Sequence, residues 1–144
     1  FNLFYANYKD FLAKHNNLYE HNKALSDIKS KYNLDLENYF NGIVLSEMGT
    51  ISTFSTSGKS DDFIFIKSKK ESEELLNHIN PKTDNKPFSE NYRGFKLSKF
   101  EINDVFAKLY GQMFSSVKEH YFSYVDGYLI FANSTSSLKI IFIN

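Results

Sequence analysis

Apolar positions along this chain repeat with two periods, and the clearest stretch is 121–132. There two aromatic, β-rich segments flank Asp126-Gly127. Asp-Gly in that setting predicts a two-residue β-hairpin. Asn133-Ser134-Thr135 follows, and predicts the strand end and the cap of a last helix.

The same reading extends upstream. Residues 2–6 are short and apolar and predict a strand. Residues 8–15 predict a helix carrying Tyr8, Phe11 and Leu12, and 16–32 a polar helix with Leu18, Leu25 and Ile28. Residues 34–40 form a short amphipathic piece stopped at Asn41-Gly42. Residues 43–54 are β-branched and predict a strand with a bulge at Gly49. Residues 55–62 read as a polar turn, and Phe63 to Ile66 as a strand buried on both faces. Ser68 and Glu71 have capping-box spacing for a helix to Ile79 that turns Leu75, Leu76 and Ile79 to the core and ends at Pro81.

Residues 80–90 hold both prolines and predict a loop. Residues 92–100 alternate cleanly and predict one strand. Asn103 or Asp104 caps a short helix with Val105, Phe106 and Leu109, closed by Gly111. Residues 112–116 predict a further strand. The strand–helix junctions at 64–75 and 130–138 echo one another. The expected fold is therefore α+β: an antiparallel sheet built from hairpin–helix units with helices packed on one face, in a single domain. Residues 1–42 form its helical N-terminal part and 43–144 its hairpin–helix units.

Composition changes this picture little. A chain of 144 residues buries roughly 70% of its unfolded surface, which allows a real core. Fifteen Phe and ten Tyr predict an aromatic core with Tyr at its margins. Basic and acidic residues balance at 17 each and only Arg93 is an arginine, so no basic face is available for nucleic acid. The absence of Cys removes disulfides, thiolate zinc sites and Cys nucleophiles from this chain. No apolar run approaches the length of a membrane span. Both ends fall in apolar runs, so the expectation is a fragment of a longer protein.

Candidate chemistry is sparse. Gly58-Lys59-Ser60 matches the tail of a phosphate-binding loop, but Thr53 stands where its first glycine belongs and a strand follows instead of a helix. His15, His21, His78 and His120 show no metal-ligand spacing, and read as solvated or capping. Asp61-Asp62 reads as a strand start. No serine lies in a nucleophile motif. Glu47 sits among apolar neighbours, where half-burial would raise a carboxyl pKa, but a wet-face or cross-strand-paired Glu47 is the favoured reading, because no partner acid or His lies at a readable spacing. The candidate ligand-binding residues are Glu47, Tyr92, Arg93, Tyr124 and Tyr128, the last two on the aromatic hairpin. No catalytic residue, metal or cofactor is expected.

Four segments carry a resemblance: Leu45-Ser-Glu-Met-Gly49, Tyr92-Arg-Gly-Phe-Lys-Leu97, Leu109-Tyr-Gly-Gln-Met-Phe114 and the run from Tyr121 to Ser134. In that order, over most of 43–142, they resemble a bacterial family of unassigned activity. Its members are envelope-associated proteins of Bacteroidota and cyanobacteria built from α+β repeats. The resemblance implies an envelope location on the periplasmic side and no catalytic residues. The expected role is a non-catalytic scaffold or binding domain with a protein partner or self-association. The alternative is a small-ligand or enzymatic domain completed by sequence outside this chain.

Overall fold

A computed structural model describes residues 2–54 and 58–142. It opens with three helices, α1 (Asn2–Lys14), α2 (Leu18–Tyr32) and α3 (Leu36–Ile43). The strand expected at 2–6 is the first turns of α1; Phe1 lies outside the described residues. As helix, this segment places Tyr5, Tyr8 and Leu12 at i, i+3 and i+7 against the body of the protein, with Tyr5 and Leu12 buried. Five residues, four of them apolar, do not separate the two periods. Asn33 closes α2 in the left-handed region, and Asp35 Oδ1 starts α3 by accepting from Asn38 N–H. Gly42, expected as a stop, lies inside α3, and the chain leaves the helix at Val44. The strand expected from 43 begins only at Met48.

Six strands follow: β1 (Met48–Phe54), β2 (Ser60–Lys67), β3 (Ser89–Tyr92), β4 (Phe95–Phe100), β5 (His120–Val125) and β6 (Tyr128–Ala132). They form one antiparallel sheet in the order β1-β2-β6-β5-β4-β3. The third hairpin in sequence is thus inserted between the first two. The polar turn expected at 55–62 falls partly outside the described residues, and β2 already runs from Ser60. Asp126 (φ 50°) and Gly127 (φ 89°) make the expected tight turn. Arg93 (φ 50°) and Gly94 (φ 84°) make a second one inside the segment expected as a single strand. Arg at the first turn position hides the signal that Asp or Asn would give. No bulge forms at Gly49, which pairs in register with Phe65. The Phe65 ring occupies the space of the missing side chain, since a Cβ there would lie 2.7 Å from its Cζ.

Three more helices complete the fold: α4 (Glu71–Ile79), α5 (Val105–Tyr110) and α6 (Thr135–Ile140). Leu76 of α4 is buried with Leu75 and Ile79 beside it, as expected. The capping box does not form. Ser68 is buried and its Oγ lies 2.7 Å from both the Ile43 carbonyl and Ser72 Oγ, tying α3 to α4 instead. Residues 112–114 are a 3-10 turn that buries Phe114, not a strand.

The sheet has two apolar faces. One carries Ile64, Ile66, Phe100, Phe122, Leu129 and Phe131, and α1 to α5 pack against it. The other carries Phe63, Leu97 and Ala132, covered by Leu138 and Phe142 of the C-terminal segment. The α+β antiparallel fold is the one expected, but α6 departs from the expectation of helices on one face. The echo between 64–75 and 130–138 is therefore a local strand–helix junction whose two helices go to opposite faces. Register explains this: Ile64 stands opposite Phe131, not Ile130, and neighbouring residues on a strand face opposite sides.

Candidate functional site

The five residues singled out by sequence form separate contacts. Tyr128 Oη donates to Glu47 Oε2 at 2.9 Å, in the exposed corner before β1. That bond and the nearby carboxylate raise the Tyr128 hydroxyl pKa. Tyr92 and Arg93 lie beside the opposite edge, on β3 and its turn. Arg93 Nη1 donates to the Phe142 carbonyl at 2.8 Å, its guanidinium sits 5.4 Å from the Tyr92 ring, and Tyr92 meets the Phe142 ring. These two residues hold down the chain after α6. Tyr124 Oη donates to the Ser68 carbonyl on the helix-covered face. The sheet thus brings Glu47 to Tyr128 and Tyr92 to Arg93, but does not bring the two pairs together.

A buried polar cluster joins the N-terminal helices. Tyr5 Oη donates to Glu37 Oε2 at 2.7 Å and lies 2.9 Å from His21 Nε2, while Lys9 Nζ is 3.5 Å from Glu37 Oε1. Tyr110 Oη donates to Asn41 Oδ1 beside it. Burial, then the bond to Glu37, raises the Tyr5 hydroxyl pKa far above its usual range; burial also lowers that of His21. At neutral pH the tyrosine keeps its proton and the imidazole is neutral. The cluster therefore fastens three helices and presents no nucleophile. His21 is buried, against the expectation of a solvated or capping residue. A helical reading of 2–14 would have placed Tyr5 on the inner face and exposed this signal.

The remaining motifs resolve structurally. Gly58 takes φ 80° and Ser60 begins β2, so Gly58-Lys59-Ser60 leads into a strand and not into a helix. Asp61 accepts from Ser137 Oγ and Asp62 from Ser52 Oγ, both at 2.6 Å. His120 caps α5 from β5. Among the described residues no three His, Cys, Asp or Glu are placed to share a metal, and no helix is long and apolar enough to cross a membrane. A cleft of about 440 Å³ lies between α4, the 80–88 segment and β4, bordered by His78, Lys82, Lys96 and Glu101. Asn80 braces it by donating to the Lys99 carbonyl and accepting from Glu101 N–H.

The two sheet edges are treated differently. β3 has four residues, and Lys139 reaches Glu90 at 2.9 Å while the Arg93 contact closes over it. β1 has seven residues, Met48-Gly-Thr-Ile-Ser-Thr-Phe54, without charge or proline. Ile51 is 50% and Phe54 79% exposed. Lys67 exchanges main-chain bonds with Leu45 and Glu47. By alternation Gly49, Ile51 and Thr53 then bond β2, whereas Thr50 and Ser52 turn their N–H and C=O groups to the outer edge, which no other strand among the described residues pairs. Natural edge strands are usually kept short or charged, so an uncharged open edge of this length is a ready template for another strand.

No family model matches this chain, and neither a curated protein nor a solved structure does.

Proposed function

We propose that this domain is a non-catalytic protein-binding module that takes an extended segment onto the outer edge of β1. The observation that carries the reading is the open main-chain edge of Thr50 and Ser52, flanked by exposed Ile51 and Phe54. Strand addition uses main-chain bonds for affinity and alternate side chains for specificity, and β1 offers both. The rest of the domain is the rigid scaffold that presents this edge. Following the resemblance, the module works on the envelope side of a bacterial cell, which fractionation of its source cells would test.

A displayed library of random extended peptides tests the binding directly. Enriched peptides should carry alternating β-branched and aromatic residues, and should lose binding to Thr50→Pro. That proline removes an outward N–H without touching the ladder to β2. Peptides that bind Thr50→Pro undiminished, with its circular dichroism unchanged, would overturn the proposal.

A second reading has the 440 Å³ cleft in its favour, a volume suited to a small polar ligand between Lys82, Lys96 and Glu101. A saturable rise in unfolding temperature with a small dicarboxylate, absent in Lys96→Ala, would favour it over strand addition.

A further inference from the structure

We infer that the segment β1 takes is β1 of a second copy of this chain, paired antiparallel about a two-fold axis at Ile51. The inference rests on strand addition at β1 and names its partner. Placing Ile51 opposite its own counterpart overlaps all seven residues of each strand. Thr50 then faces Ser52, Gly49 faces Thr53 and Met48 faces Phe54. A two-fold pairing needs the outward-turned residues of one strand to meet those of the other, and Thr50 with Ser52 satisfies this.

Side chains agree with the register on both faces. Phe54, largely bare in one copy, arrives beside Met48 of the other, which already packs on the main core. Ile51 covers Ile51 on the opposite face, next to Phe63. Thr53 arrives opposite Gly49, where the Phe65 ring fills the space of the missing side chain. β1 carries no charge and the chain is neutral, so self-pairing sets no like charges against each other. The opposite edge, with Glu90 and Lys139 at β3, offers no such match. The product is a continuous sheet of two domains. A seven-residue pairing spans about 24 Å and is a small interface, so the association is weak and concentration-dependent.

The chain has no cysteine, which makes cross-linking clean. In the proposed register Ile51 and its counterpart form a non-hydrogen-bonded pair, with Cα atoms about 4.5 Å apart, within disulfide reach. Ile51→Cys should therefore oxidise to a covalent dimer. Thr53→Cys, whose counterpart lies several residues along, should not. In sedimentation velocity over about two decades of concentration, wild type should pass from monomer to dimer. Ile51→Lys and Ile51→Glu should each stay monomeric, and an equal mixture of the two should regain the dimer. A wild type that is monomeric throughout, or equal cross-linking of Ile51→Cys and Thr53→Cys, overturns the inference. A dimer that persists in Thr50→Pro places the interface elsewhere and overturns it too. If wild type is monomeric while displayed peptides still bind β1 and lose that binding in Thr50→Pro, strand addition stands and only the second copy falls.

Discussion

The backbone N–H of Val105 donates to Nε2 of His120 across 3.0 Å, so a strand side chain caps a helix fifteen residues earlier in the chain. Asp104, in the left-handed region at φ 57°, makes no side-chain cap of its own. The imidazole lies edge-on to Phe106 and Phe131 and is fully buried.

Burial, reinforced by the charge of Lys108, holds the His120 pKa at about 3. An unfolded histidine takes its proton near pH 6.5. Between these values the unfolded chain binds more protons, so stability is complete above about pH 6.5 and falls as pH drops toward 3. His21, lowered by burial, acts in the same direction. Denaturant midpoints should show a loss on the order of 2 kcal/mol between about pH 7 and pH 5 from His120. His120→Gln keeps an acceptor but cannot titrate there, and should lose less. Equal losses in both proteins would remove His120 as the source.

Tyr5→Phe deletes the hydroxyl that links Glu37 and His21. It should lower stability by about 1–2 kcal/mol, because two buried or half-buried groups lose their partner. Tyr19 projects into solvent, and Tyr19→Phe should be neutral. Equal denaturation curves for the two variants would show that the cluster adds nothing to stability.

Two glycines should respond with opposite signs. A Cβ on Gly42 meets nothing within 4 Å and the residue is helical, so Gly42→Ala should stabilise by about 0.5–1 kcal/mol. Gly127 holds φ 89° in the hairpin turn, and Gly127→Val should cost about 1 kcal/mol or more. An unchanged unfolding midpoint for Gly127→Val would contradict the turn.

Arg93→Ala removes the bond to the Phe142 carbonyl. Hydrogen exchange should speed up at amides 138–142 while the β5–β6 ladder stays protected. Uniform exchange across both regions would show that Arg93 does not hold the C-terminal segment.

Local chemistry made much of this fold legible. Asp126-Gly127 has the conformational freedom its turn needs, Ser134 caps α6 by accepting from Ser137 N–H, and Gly111 ends α5 at φ 100°. Each depends on residues a few positions apart. The misreadings have other causes. The 2–6 segment is helical because Tyr5 reaches Glu37 and His21, far along the chain. The Arg93-Gly94 turn forms where Arg masks the glycine signal. Ser68 leaves its expected cap for the Ile43 carbonyl.

The candidate site divides in the same way. Glu47, Tyr92, Arg93, Tyr124 and Tyr128 were visible as residue types, but sheet order alone decided that Glu47 meets Tyr128 and that Arg93 meets Phe142. The uncharged strand Met48–Phe54 was readable as a strand, and nothing local marked it as an edge. That status exists because β5 and β6 insert between β2 and β4, leaving β1 outermost. The sequence by itself determined the α+β class, the aromatic core and most turns, through backbone preferences and side-chain periods. Tertiary structure decided strand order, the face of α6 and which polar groups meet, because these depend on burying apolar surface between segments distant in sequence.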